Sequence, residues 1–281
     1  MTTNNSKKTG ILGQSILILF LTFLCVISMI PFCWSISTSL RLPADSFKMP
    51  PSFLPTAFHY DNYIAVFTRF PFFRFITNSM FVSFMVMFFG LIVTTMAAYS
   101  FARINFRGKN IIFMVFMSGL MIPYSATMIS VYIIMSKLHL VGSLWALILP
   151  ATISPLHIFL VRQFMMTIPM SYEEAAEIDG ASRFAIYARI MVPMSKPVMM
   201  LAALQVFIGS WNNFIGPLIY LSDWNKMTLP IGLKLLQGYM GMGNISEILA
   251  GITVSLVMPI LLYLFGQRYL VEGIALTGVK S

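Results

Sequence analysis

The chain has 281 residues, 58% of them hydrophobic and only 10% charged, with a mean hydropathy of +0.84 and a formal net charge of +9. That composition excludes an ordinary soluble domain and describes a chain whose main solvent is lipid. The positive charge does not indicate nucleic acid, because no basic stripe interleaved with aromatics occurs on a polar stretch.

A helix needs about 20 apolar residues to cross a hydrocarbon core of roughly 30 Å. Six runs of that kind predict an all-α, polytopic membrane protein with six transmembrane helices in one domain, 1–281. The first run, 11–35, is too long for a removed signal peptide and lacks a small-residue cleavage site, so it is expected to stay as a span. Its Cys25 and Cys33, with no histidine near them, read as small buried apolar residues rather than a metal site or disulfide. An outer loop, 36–74, precedes the second run, 75–102, and the tight trio Arg103, Arg107, Lys109 precedes the third, 111–135. Pro123, Ser125 and Thr127 lie inside that third run. After a short outer loop, 136–142, the fourth run, 143–161, carries Pro150, Thr152 and Pro155. A polar loop, 162–197, leads to the fifth run, 198–221, which holds Ser210-Trp211-Asn212-Asn213 and Pro217. The last outer loop is 222–247 and the sixth run, 248–267, contains Ser255 and Pro259. Helix breakers at such depths are tolerated where helices pack together or line a cavity.

Cytoplasmic flanks hold more lysine and arginine. Placing both termini inside puts eleven of the 18 basic residues there, the trio and Arg162, Arg183, Arg189 and Lys196 among them, and seven outside. The loop 162–197 then faces the cytoplasm. No run has an Asp, Glu, Lys or Arg in its central part, which disfavours an ion-coupled carrier or a proton pump. No GxxxxGK[ST] phosphate loop occurs, so energy for uphill transport has to come from a partner. His59, His139 and His157 are too scattered for zinc. Asn212 and Asn213, with Trp211, Ser210 and Thr127, either bond between helices or touch a passing hydrophilic solute. Amides and aromatic rings in an uncharged cavity suit a neutral polyhydroxylated solute.

The loop 162–197 holds the one acidic cluster, Glu173-Glu174-Ala175-Ala176-Glu177-Ile178-Asp179-Gly180. Ser171 with Glu174 reads as a capping box after Pro169, the carboxylates favour the positive end of the helix dipole, and Gly180 supplies the stop. Ser182 is the expected cap of a second helix running past Arg189 toward Pro193 and Pro197. The product is an elbow whose small Ala175 and Ala176 admit a partner's backbone and whose carboxylates offer charge to a basic group. A helix lying on the lipid surface fits less well, because the cytoplasmic leaflet is itself negative. A catalytic or metal role lacks companion ligands.

Glu174-Ala175-Ala176, Gly180 and Ile190-x-Val192-Pro193 are spaced as in the EAA signature, and the chain resembles permease subunits of bacterial ABC importers; Val192 stands where the signature has Leu. Met121-Ile122-Pro123, Ala146 to Pro150, Trp211-Asn212-Asn213-Phe214, Thr228-Leu229-Pro230 and Gln267-Arg268-Tyr269 are similar to the carbohydrate-uptake branch, specifically the second permease of maltose-type systems. The likeness runs from about residue 62 to residue 280; before that it is topological. It implies a type I importer permease fold that carries a sugar, an oligosaccharide by preference, across a bacterial plasma membrane. It also implies that Glu173, Glu174, Ala175, Ala176, Glu177, Asp179 and Gly180 form a coupling helix docked on an ATPase, fixed by Ile190 and Pro193. The implied partners are a homologous second permease, two ATP-binding cassette subunits that use the ATP and Mg, and an extracellular or periplasmic sugar-binding protein. The loops 40–73 and 222–247 would meet the binding protein, Gly238, Gly241 and Gly243 around Tyr239 forming either a finger or a plain flexible loop, and the tail from Glu272 would reach the motor subunits. No cofactor is expected on this chain, and most sugar contacts would come from the partner permease. A membrane-embedded transferase, or a permease for a glycerol phosphate compound, stays as the alternative.

Overall fold

The computed structural model describes residues 11–45, 54–55, 57–238 and 243–278. Tyr239 and Gly241 of the glycine-flanked loop lie outside them.

The regular structure of the described residues is entirely helical, with no strand among them. In chain order come α1 (Ile11–Ser39), α2 (Asp61–Arg69), the long α3 (Phe72–Arg103), α4 (Lys109–Ser118) and α5 (Tyr124–Lys137). Then follow α6 (Trp145–Ala151), α7 (Pro155–Thr167), α8 (Ser171–Ile178), α9 (Arg183–Ile186), α10 (Val192–Met194) and α11 (Lys196–Trp211). The chain closes with α12 (Ile215–Tyr220), α13 (Leu229–Leu236) and α14 (Ile245–Gly278). Gly13–Ser39, Phe72–Arg103 and Ile245–Gln267 are each long and apolar enough to span a bilayer, and three bent helix pairs qualify if each counts as one span. This is an all-α, multi-pass membrane fold.

Three bends interrupt the helices, two of them at prolines that the sequence offered as breakers. The run 111–135 divides at Ile122–Pro123, where α4 and α5 meet at 107°. Pro123 has no N–H to donate, and its ring displaces the residue before it from helical torsions. Between α6 and α7 the bend is 42°, set by Pro155 at the start of α7, whereas Pro150 is absorbed near the end of α6. The third bend, 78°, falls at Ser195 between α10 and α11. Pro259, by contrast, sits inside α14, which runs on through it.

Two compact units divide the chain. The first comprises Met1–Val66 and Leu236–Val254. In it, Asn62 Nδ2 donates to the carbonyls of Ser39 and Arg41, 2.9 Å each, and so satisfies groups left open where α1 ends. Asn244 Oδ1 accepts the amides of Ser246 and Glu247 and caps α14. Cys25 and Cys33 are exposed on α1 and unlinked, which corrects their reading as buried: every large apolar side chain from Ile16 to Ile30 on this helix is exposed too. An apolar helix needs no protein cover when lipid is its solvent.

The second unit, Phe67–Leu235 with Ser255–Ser281, is built on α3, which packs along α11 and α7. Its buried seam is made of small residues at helical spacing: Ser79, Ser83, Val86, Gly90, Thr94 and Ala98. Lipid supplies little hydrophobic drive between helices, so close backbone approach over small residues does the packing. Ser79 Oγ accepts the Leu229 amide at 2.8 Å, and the Thr95 and Tyr187 hydroxyls share a hydrogen bond of 2.8 Å. One core cluster joins Val82, Val86, Ile148 and Tyr220; another joins Ala98, Val161, Met165, Ile186 and Met191 under the acidic loop.

Candidate functional site

The acidic loop folds into the expected elbow, with its start built differently. Met170, in helical torsions, precedes α8, and its carbonyl accepts the amides of Glu173 and Glu174 at 2.9 and 3.0 Å. Ser171 is therefore already inside the helix and no side-chain cap forms, which corrects the capping box. The chain turns into the helix directly after Pro169, one residue earlier than the S-x-x-E spacing requires. The stop is as read: Gly180 has φ +78°, Ala181 N–H reaches Ala176 O at 2.9 Å and Gly180 N–H reaches Glu177 O at 3.0 Å. This pair of bonds is the Schellman closure. Ser182 Oγ then accepts the Ala185 amide at 3.3 Å and starts α9.

Between α9 and α10 the backbone widens to a π-turn, Tyr187–Met191, with the Val192 amide reaching back to Tyr187 O. Pro193 follows directly. A proline there would clash with the carbonyl four residues before it, and an extra residue in the turn relieves that clash. Ile190 packs half-buried on the core beneath, while Pro193 is exposed.

α8 has two unlike faces. Glu174, Ala175, Glu177, Ile178 and Asp179 are exposed, Ile178 to 87%, and Phe184 at 69% exposure stands out from the following helix. Glu173 and Ala176 point inward. Glu173 thus leaves the set of carboxylates offered outward: its Oε1 lies 2.8 Å from Arg103 Nε, with side-chain exposures of 9% and 7%. The contact is an ion pair by distance and not an aligned hydrogen bond. Burial pushes the Glu173 carboxyl above its ordinary value, and Arg103 pulls it back only in part. Arg103 also donates from Nη2 to Met165 O at 2.7 Å and to Ile168 O. Two more cations serve the end of α3, Arg162 Nε on Phe101 O at 3.0 Å and Lys109 Nζ on Ala102 O at 3.4 Å. Cations at helix C-termini offset the orphan carbonyls and the negative end of the dipole. The sequence showed these residues only as flanking charge.

The polar residues near mid-depth do not form one set. Ser210 and Asn213 line a cavity of about 230 Å³ together with Ser79, His157, Gln205 and Thr228. His157 Nε2 and Gln205 Oε1 are 3.2 Å apart, while His157 Nδ1 and Thr228 Oγ1 are buried without a hydrogen-bond partner among the described residues. Asn213 Oδ1 accepts the Gly216 amide at 3.1 Å, a cap for α12. Trp211 is buried, stacked on Phe207 with centroids 5.7 Å apart. Asn212 is exposed and does not line the cavity, nor does Thr127, which donates to Tyr124 O at 3.0 Å on α5. Gln205 and His157 were missed as partners. Gln205, Gly209 and Asn213 are four apart on one face of α11 and its extension, and that spacing was the available signal.

An all-α chain with this many long apolar helices and a charged elbow between bent helices is an integral membrane protein. The chain belongs to the family of binding-protein-dependent transport system inner membrane components, whose model matches residues 87–274. It is similar to the arabinooligosaccharides transport system permease AraQ of Halalkalibacterium halodurans, 32% identical over 98% of this chain and 99% of that one. It is also similar to the trehalose/maltose transport system permease MalG of Thermococcus litoralis, 28% identical over 98% and 99%. Among solved structures, a bacterial ABC transporter involved in import of the acidic polysaccharide alginate has a chain that shares the fold, with a TM-score of 0.82 and 22% identity over 96% of this chain and all of that one. The chain is accordingly an ABC importer permease, a transport component and not an enzyme, and the transferase alternative falls. Membership implies a second permease, ATPase subunits and a binding protein as partners, with ATP and Mg acting in the ATPase.

Proposed function

We propose that the chain carries a neutral oligosaccharide into the cytoplasm and that α8 is the helix through which a separate ATPase drives it. The observation that carries the reading is the two-faced α8: Glu174, Ala175 and Ile178 outward, Ala176 and Glu173 tied to the chain's own core. A small, acidic and apolar strip on a helix closed at Gly180 suits a groove with a basic rim. Both termini are cytoplasmic in this reading. The complete importer holds a homologous second permease, two ATP-binding subunits and an extracellular or periplasmic sugar-binding protein.

The sugar reading is supported by relatives named for arabinooligosaccharides and for trehalose and maltose, and by spans without a central charge. The uncharged cavity between His157, Gln205 and Asn213 is our candidate for part of the path wall. At about 230 Å³ it falls below the roughly 300 Å³ where small-molecule pockets begin. An oligosaccharide therefore does not fit there in this conformation, and the path has to open elsewhere or by helix movement.

The test is uptake of labelled arabinooligosaccharides, maltose and trehalose by cells carrying the whole transporter, together with pull-down of its ATPase. Glu174→Lys is expected to abolish both uptake and pull-down while the permease still inserts. Retention of both refutes the docking role. Asn213→Ala is expected to lower uptake while the ATPase stays bound; unchanged uptake removes this residue from the path.

A further inference from the structure

We propose that Arg103 is the positioning residue that locks α8 to the ends of α3 and α7, so that the docking helix and these two helix ends move as one body. The proposal rests on the reading that α8 receives the ATPase. Arg103 is the last residue of α3, and its guanidinium is engaged on every nitrogen. Nε faces Glu173 Oε1 at 2.8 Å, Nη2 holds the carbonyls of Met165 and Ile168, and Nη1 contacts Met170 Sδ. Those carbonyls lie at the C-terminal end of α7, where the dipole is negative; Met165 O also accepts the Ile168 amide at 3.2 Å, and Arg103 adds a second bond to it. Glu173 lies in the first turn of α8. One planar cation thus joins three helices, a geometry that lysine, a point charge on a flexible stem, does not reproduce.

Two further observations make the lock specific. The rest of α8's inner face is small, with Ala176 and the following Ala181 against the core, so no large side chain keys the helix into place. Only residues 168–170 separate α7 from α8. Without the ion pair that joint is a short hinge, and a push on α8 is spent in bending it. With the pair, both side chains are under 10% exposed, so removing one partner leaves the other buried without compensation.

The test uses the complete importer in lipid nanodiscs, with spin labels on cysteines introduced at the exposed positions Tyr172 on α8 and Gln163 on α7, both outside the docking strip, to report the α7–α8 joint. The unaltered complex is expected to show one narrow inter-label distance, the same without nucleotide and after trapping with MgATP and vanadate. Arg103→Gln and Glu173→Gln are each expected to broaden it and to make it change on trapping, with the ATPase still bound. The double variant should be no worse than either single, because removing both partners leaves no stranded charge. Arg103→Lys is the substitute should Arg103→Gln fail to accumulate, with the same broadening expected. A joint as narrow in the variants as in the unaltered complex overturns the proposal, and so does a joint that changes on trapping in the unaltered complex. Glu174→Lys, on the opposite face, separates the two readings. If it leaves the ATPase bound, the docking reading fails, and the lock is then judged by the nucleotide-free distances alone.

Discussion

Glu173 and Glu174 are neighbours of identical chemistry, and the fold gives them opposite tasks. Nothing in the pair Glu173-Glu174 tells which one turns inward, because the choice is made by Arg103, about seventy residues away. The sequence did announce Gly180, whose φ of +78° only glycine takes without strain. Gly180→Ala is expected to cost about 1–2 kcal/mol at that turn. It should show as faster amide exchange at Gly180 and Ala181, whose N–H groups close the helix. Glu173 gives a pH signature. Its folded-state value is raised by burial, so the folded chain holds this proton more tightly than the unfolded chain does. Stability from this group is therefore fullest below the unfolded value and is lost as pH rises through the folded one. Thermal unfolding in detergent from about pH 4 to 7 should show that downward contribution, and Glu173→Gln should remove it.

Helices were legible where the apolar run was long, and their bends were legible only as candidates. Pro123 and Pro155 break the backbone and Pro259 does not, although the three look alike in sequence. Local chemistry offers each a kink, and packing decides which is used. The small-residue seam of α3 was invisible for a related reason: Ser79, Ser83, Gly90 and Thr94 matter through what approaches them. The glycines provide a direct check at this scale. A methyl at Gly232 would sit 2.1 Å from the ring of Phe75, which is wholly buried, whereas at Gly209 it would meet nothing within 4 Å. Gly232→Ala is expected to destabilise by about 1–3 kcal/mol through overpacking. Gly209→Ala is expected to be neutral or to stabilise by up to about 1 kcal/mol through helix propensity. The comparison is read as the shift in unfolding midpoint in detergent.

At the scale of the molecule, composition and the EAA spacing were enough to place the chain among ABC importer permeases, and the family match agrees. The cavity partners His157 and Gln205 were not legible, since they are 48 positions apart and neither carries a motif. The exposed apolar α1 and the exposed strip of α8 are unlike surfaces: the first suits lipid, the second mixes carboxylates with Ile178. That difference bears on the central claim, that force enters through α8. The most direct measurement is cysteine crosslinking along this helix in the assembled transporter, with single cysteines at Ala175, Ala176 and Ile178 and a short thiol-reactive linker to the ATPase. Crosslinks from positions 175 and 178, strengthened or weakened by MgATP, with none from the inward position 176, are the expected result. Absence of any crosslink from 175 and 178, or equal crosslinking from all three, contradicts it.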